Sequence, residues 1–315
     1  MKYKHLFGPV HSRRLGFSLG VDLVPFKYCP LNCVYCEIYS TDHLTLTRQE
    51  FFPVEEILTE LRHFLAERPK LDYVTFSGAG EPTLHSQIGQ IIRTIKKEFP
   101  EYQLALLTNG VLLGNAELRK EILPCDLILP SLDACRQESF EKINQPHPGL
   151  TAQKLVEALI ALREEFSGQI WLEVFIIEGI NDTPEELECL APAIAKIKPD
   201  LVQLNSLDRP GSEEWVEAAG ETVLNRVKKY LVERLEVPVE IIAKSHHENF
   251  ETHVPQDIGQ AMEATLKRRP STAEDLSKTL GLHINEISKF LRQFNLEGKV
   301  SIKREERGIF YSWKH

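Results

Sequence analysis

The sequence predicts an α/β fold, a partial (β/α)6 TIM-like barrel followed by a small C-terminal winged helix-turn-helix domain. Three observations carry this. Through the first 250 residues, short and nearly continuous apolar runs alternate with segments of helical period, as in a parallel sheet covered by helices. After Ile242 that alternation stops. The charge also changes sign: residues 257–315 hold 11 Lys+Arg against 8 Asp+Glu (+3), leaving 26 against 38 (−12) for residues 1–256. The expected division is therefore a barrel over 1–245, a linker over 246–256 and a winged-helix domain over 257–315.

The predicted strands are Phe17–Pro25, Tyr73–Ser77, Gln103–Leu107, Leu127–Ser131, Trp171–Ile177 and Leu201–Leu204. They are too short for independent helices and are bounded by Gly, Pro and Asn. Between them, Val54, Ile57, Leu58, Leu61, Phe64 and Leu65 fall on one helical face. Ser86–Phe99, Leu155–Phe166, Pro184–Ile197 and Val223–Leu235 read the same way. Six β/α units make most of a barrel.

Beyond the polar stretch that includes Lys244–Thr252, three helical segments follow, Asp257–Lys267, Ala273–Thr279 and Ile284–Leu296. Pro270-Ser271-Thr272 supplies an N-cap before the second and Gly281 a C-cap after it. Val300–Lys303 and Phe310–Trp313 then flank a Gly-containing turn and read as a hairpin wing. In the third helix Ile284, Ile287, Leu291 and Phe294 face inward, exposing Asn285, Ser288, Lys289, Arg292 and Gln293. That polar face and the wing residues Lys303, Arg304 and Arg307 suit a nucleic-acid groove, a protein or peptide partner, or packing on the neighbouring domain.

Composition narrows the function classes. The chain has 315 residues, 42% hydrophobic and 26% charged, with a net charge of −9, which excludes a disordered or fibrous chain and a generally basic nucleic-acid binder. No apolar run approaches the roughly 18 residues of a membrane span, and the start lacks the apolar core of a signal peptide. We expect a cytoplasmic protein with no membrane partner.

Six cysteines are present, and their placement matters more than their number. Cys29, Cys33 and Cys36 form C-x3-C-x2-C on one loop, while Cys125, Cys135 and Cys189 are scattered and read as packing residues. Three close thiolates in a reducing compartment point to a metal. A closed zinc site needs a fourth ligand, for which only His43 is near. A cubane 4Fe-4S cluster held by three cysteines instead leaves one iron open to another ligand.

With Tyr35 as the aromatic of C-x3-C-x-aromatic-C after the first barrel strand, the loop resembles the signature of the radical S-adenosylmethionine (radical SAM) enzymes. After the second strand, Ser77-Gly78-Ala79-Gly80-Glu81-Pro82-Thr83 resembles their glycine-rich segment, in which glycines let backbone approach a ligand and a carboxylate accepts from an ammonium group. The resemblance implies one 4Fe-4S cluster on Cys29, Cys33 and Cys36, with SAM near Tyr35, Gly78, Gly80 and Glu81. It extends to Thr108-Asn109 after the third strand, Ser131 and Asp133 after the fourth, and Asn205 after the sixth. These strand-end positions are where barrels place active sites, although Asn-Gly and Ser/Asp are also ordinary turn and cap residues. Glu173 interrupts an apolar strand and points either into the lumen toward SAM or substrate, or to solvent. A closer resemblance is to stand-alone radical SAM proteins related to wyosine-type tRNA-modifying enzymes. It rests on Gly8–Gly16, Gly20–Pro25, Asn144–Gly149, Glu178–Asp182 and Asn205–Gly211.

The resemblance implies reductive cleavage of SAM to methionine and a 5′-deoxyadenosyl radical, with an electron donor such as flavodoxin or ferredoxin. Arg13 and Arg14 are the expected substrate residues, since paired guanidinium groups suit phosphate or carboxylate; the alternative is a solvated basic pair. His147, between two prolines, is a candidate lid or acid–base residue. The substrate is a small molecule, peptide or protein in the first reading and RNA in the second. A third reading, a non-enzymatic iron–sulfur regulator acting through its winged helix, has no use for a SAM segment.

Overall fold

The computed structural model describes residues 3–38, 40–242, 258–305 and 307–314; the expected linker over 246–256 lies outside them. In the first part the strands are β1 (Leu6–Ser12), β2 (Gly16–Val21), β3 (Tyr28–Cys29), β4 (His43–Leu44), β5 (Tyr73–Phe76), β6 (Leu104–Thr108), β7 (Leu127–Pro130), β8 (Gln169–Phe175), β9 (Leu201–Asn205) and β10 (Val239–Ile241). The helices are α1 (Val54–Leu65), α2 (Ile88–Glu98), α3 (Ala116–Ile122), α4 (Gln137–Asn144), α5 (Ala152–Glu165), α6 (Pro184–Ile197) and α7 (Glu221–Val232). Then come α8 (Ile258–Arg268), α9 (Ala273–Leu280), α10 (Ile284–Leu296) and the hairpin β11 (Val300–Glu305) and β12 (Gly308–Trp313).

One sheet runs β1-β2-β5-β6-β7-β8-β9-β10. All its pairs are parallel except β1–β2. The expected α/β architecture and its six strands are present, and two strands are added. β1 escapes sequence reading because Gly8-Pro9 looks like a break. The chain tolerates Pro9 because β1 is an edge strand with a register shift between Phe7 and Val10. β10 is only three residues long and half-polar, so no periodicity marks it.

Buried aliphatic side chains from the strands and from α1, α2, α5 and α6 form one continuous core. α8–α10 and the hairpin have a second core, around Met262, Leu266, Leu276, Ile287, Leu291 and Phe294. As expected, Thr272 caps α9, here in a reciprocal capping box with Asp275, and Gly281 ends it in the left-handed conformation. α8 and α9 lie against β1, so the second core is docked on an edge strand of the main sheet.

The scattered cysteines are not all simple packing residues. Cys135 and Cys189 are disulfide-bonded, tying the loop after β7 to α6, whereas Cys125 is free and buried. Among the described residues no helix is long and apolar enough to cross a membrane.

Candidate functional site

Parallel register brings the ends of β2, β5, β6, β7, β8 and β9 to one rim, and the cysteine loop lies over it. Lys27 N donates to Ala79 O (2.8 Å) and Glu81 N to Tyr28 O (3.0 Å), stitching the cysteine loop to the glycine segment. Gly80 has to be glycine here, because a Cβ would stand 2.2 Å from Tyr28 O. At Gly78, φ is +121° and a Cβ would strike Asp22 Oδ1. The close approach expected of these glycines is thus to the protein's own loop and to Asp22.

Cys29, Cys33 and Cys36 are free and half-buried on this loop. Asn109 Nδ2 donates to Cys29 Sγ (3.4 Å) and Asn144 Nδ2 to Cys33 Sγ (3.3 Å). Burial pushes both thiols up, with Glu81 adding at Cys29 and Asp133 at Cys33. The Lys27 ammonium is lowered by burial and raised in opposition by Cys36, Asp42, Cys29 and Cys33. The donor set of three thiols, two amide donors and an ammonium therefore fits a buried anionic cluster. Among the described residues no three Cys, His, Asp or Glu side chains converge on one ion position.

Glu81 is buried and accepts four bonds. Oε1 takes Thr83 N (3.1 Å), Thr83 Oγ1 (2.6 Å) and Thr108 Oγ1 (2.7 Å); Oε2 takes Asn109 N (2.8 Å). Burial still holds its carboxyl above the ordinary range. Glu81 therefore positions Thr108 and Asn109, and only Oε2 keeps acceptor capacity for an ammonium. Tyr35 stacks on Phe175 with ring centroids 3.8 Å apart, and its hydroxyl donates to Asp133. Ser131 is bridged to Glu173 through the backbone. Glu173 is half-buried on β8, between the buried Leu172 and Val174. Its Oε1 accepts from Asn205 Nδ2 (2.6 Å), and its Oε2 lies 2.7 Å from Arg14 Nη1. Burial would raise this carboxyl, but Arg14, Asn205 and Arg13 together hold it below its ordinary value.

The expected pair Arg13–Arg14 is split. Arg14 is committed to Glu173, while Arg13 turns toward Asp208 (3.7 Å). Both line a cavity of about 190 Å³ with Glu37, Arg209, Arg269 and Asp275. His147 is not brought to it. The histidine lines a separate, open cavity with Asn32 and Gln145, its Nδ1 against Pro148 O. The hairpin guanidinium Arg307 is not free for phosphates, since it bonds Asp208 (3.1 and 3.2 Å) and Asp275 (2.6 Å). Lys303 pairs with Glu305, and the predicted polar face of α10 is exposed.

Sequence reading missed Asn144, Asp22, Glu37, Arg209 and Arg269. Asp22 Oδ1 accepts from Ala79 N (2.9 Å) and Oδ2 from Arg268 Nε (2.7 Å), so the glycine segment is linked to α8 through one carboxylate. Asp22, Asn144 and Arg209 fall within the stretches Gly20–Pro25, Asn144–Gly149 and Asn205–Gly211 that carry the resemblance, but nothing in those stretches says which thiol or cavity their residues reach.

The radical SAM superfamily profile matches residues 23–189. The chain is 30% identical over 311 residues to UPF0026 protein MJ1312 of Methanocaldococcus jannaschii, covering 97% of this chain and 94% of that protein. It is 36% identical over 308 residues to a Brachyspira hyodysenteriae protein named GTPase Obg, covering 97% of this chain but only 44% of that protein's length. In fold it resembles a radical SAM methyltransferase from Sphaerobacter thermophilus, with a TM-score of 0.54 and 19% identity over 71% of this chain and 65% of that one. A 4Fe-4S cluster and SAM are the cofactors that this family implies. With the cysteine loop, the glycine segment and the strand-end polar groups at one rim, the chain belongs to the radical SAM superfamily.

Proposed function

We propose that the protein is an enzyme holding one 4Fe-4S cluster on Cys29, Cys33 and Cys36 and acting on a substrate that enters beside Arg13. The observation that carries this is the meeting of three free cysteines, two thiol-directed amides and the Glu81–Thr108–Asn109 network at one rim. The bound cofactors would supply reductive cleavage of SAM to a 5′-deoxyadenosyl radical. The chain's own residues do the positioning. Asn109 and Asn144 steady the cysteine sulfurs, Glu81 orders Thr108-Asn109, and Tyr35 locks the cysteine loop to the end of β7 through Asp133.

The C-terminal helices and hairpin act, in this reading, as a winged-helix domain that packs on the barrel. Arg307 and Arg268 are tied to barrel carboxylates, which favours a docked wall of the active site over a freely presented reader of nucleic acid. A small molecule, peptide or protein is then the substrate, in preference to tRNA.

The test is anaerobic incubation of reconstituted protein with SAM and dithionite. We expect 5′-deoxyadenosine, about four irons per chain, and loss of both product and visible absorption in Cys33→Ala. An intact cluster without 5′-deoxyadenosine, or product formation unchanged in Cys33→Ala, would refute the reading. Some superfamily members cleave SAM slowly without substrate, so product is followed over hours.

A further inference from the structure

The cavity beside Arg13 has an unusual charge balance for so acidic a barrel. Its lining carries four arginines, Arg13, Arg14, Arg209 and Arg269, against two carboxylates, Glu37 and Asp275. Arg14 is ion-paired with Glu173 at 2.7 Å. The other three come from separate segments: Arg13 from the β1–β2 turn, Arg209 from the loop after β9, and Arg269 from just beyond α8.

Each of the three is incompletely partnered. Arg209 is buried, with Glu37 Oε2 at 3.3 Å and Asp208 Oδ2 at 3.5 Å from its Nη1, while its Nε, 3.9 Å from Asp275 Oδ2, has no hydrogen-bond partner among the described residues. Arg13 Nη1 lies 3.7 Å from Asp208 Oδ2, beyond hydrogen-bond reach. Arg269, among the described residues, has one side-chain hydrogen bond, to Thr279 Oγ1 at 3.4 Å. Burial and then the Arg209 charge lower the Arg269 guanidinium to about 10, with Glu37 and Asp275 opposing. A buried hydroxyl without a hydrogen-bond partner, Thr75 Oγ1, belongs to a residue lining the same cavity. Grouped, desolvated guanidinium forks are costly unless an oxyanion joins them, and they match one in geometry.

The cavity also adjoins the cysteine loop. Glu37 follows Cys36 directly, and the loop carrying Arg209 packs on it through Ser212 Oγ, which donates to Cys33 O and Val34 O (3.0 Å each). We infer that this cavity is the subsite for an oxyanion carried by the substrate, phosphoryl or carboxylate, held by Arg13, Arg209 and Arg269. The C-terminal segment therefore supplies a substrate ligand. As an assignment of substrate class the inference rests on the enzyme reading above; as an anion site it stands on the cavity alone.

The experiment is titration calorimetry on the reconstituted full chain at constant ionic strength in chloride, with no reductant for catalysis. Inorganic phosphate and acetate are the probes. We expect saturable binding of one anion per chain; tighter phosphate binding marks a phosphoryl substrate, and tighter acetate binding a carboxylate. Arg269→Gln should weaken the preferred anion at least about tenfold, as loss of a charge-assisted bond implies, and the exposed Arg62→Gln should not. If Arg269→Gln fails to fold by circular dichroism, Arg269→Lys, which keeps the charge but loses the fork, should weaken binding severalfold.

Saturable binding that persists with S-adenosylhomocysteine present supports a substrate subsite. Displacement by S-adenosylhomocysteine overturns it, as do absence of saturable binding and unchanged affinity in the folded Arg269 variant. Anion binding through Arg269 in a chain that never forms 5′-deoxyadenosine would sink the enzyme reading while leaving the anion site standing; the reverse pattern would sink only the anion site.

Discussion

The hydroxyl of Tyr35 donates a 2.6 Å, part-buried hydrogen bond to Asp133 Oδ2, joining the cysteine loop to the segment just after β7. Asp133 also accepts from Asn144 Nδ2 (2.7 Å) and Phe175 N (2.9 Å). Burial nevertheless raises its carboxyl from 3.8 to about 6, the Glu173 charge adding and the three donors opposing.

The folded chain therefore binds this proton more tightly than the unfolded chain does. Its stabilising contribution is complete below pH 3.8 and is lost as pH rises through about 6. The shift corresponds to about 3 kcal/mol. The stability difference between wild type and Asp133→Asn, measured by urea unfolding, should move by that order between about pH 4 and pH 7, with wild type losing ground as pH rises. A flat difference would show that Asp133 does not titrate in this window.

Arg268 and Asp22 form a part-buried pair between α8 and the glycine segment, and the guanidinium also lies 4.4 Å from the Phe7 ring centroid. Arg268→Ala strands a buried carboxylate and should cost about 3–5 kcal/mol. Adding Asp22→Asn should return much of that loss, a coupling measurable in a double-mutant cycle. Additive losses would mean that the pair is not coupled.

Hydrogen bonds to cluster sulfurs raise reduction potential. Asn144→Ala removes the donor to Cys33 Sγ, and Asn109→Ala the donor to Cys29 Sγ. Each should move the midpoint of the reconstituted cluster negative by roughly 65 mV, taking one bond of about 1.5 kcal/mol in a one-electron couple. Redox titration followed by electron paramagnetic resonance checks this, and unchanged midpoints would remove both amides from the site.

Gly80→Ala places a Cβ 2.2 Å from the Tyr28 carbonyl. Overpacking of this kind costs about 1–3 kcal/mol, and here it pries the glycine segment off the cysteine loop. We expect a lower Tm and less iron retained after reconstitution. Gly114→Ala, where nothing lies within 4 Å, is the matched control and should change neither.

Periodicity read well wherever a segment was long and regular. α6 and α10 have the boundaries their apolar spacing predicts, and β5–β9 coincide with apolar runs because strands covered on both faces are apolar throughout. Reading failed at β1, where an edge strand accommodates proline, and at α3 and α4, whose seven and eight residues are too few to show a period. Within the site, residue type and spacing singled out the cysteines and the Gly78–Glu81 segment, which the structure places side by side. Adjacency did not reveal that Arg13 and Arg14 take different carboxylates, nor that His147, whose N–H donates to Pro30 O, lines a cavity separate from that of Arg13.

By itself the sequence determined the α/β alternation, the cysteine loop with its glycine-rich companion, and a second small core after the break in pattern. Those are local properties, set by spacing, burial period and turn chemistry within a few tens of residues. Only the tertiary structure decided that Glu81 spends its carboxylate on Thr108 and Asn109, and that Asn144 reaches Cys33. It alone turned Arg307 inward and set Arg269 beside Arg13 and Arg209. Each of these contacts joins segments far apart in the chain, and register and docking of packed elements, which no single stretch encodes, bring them together.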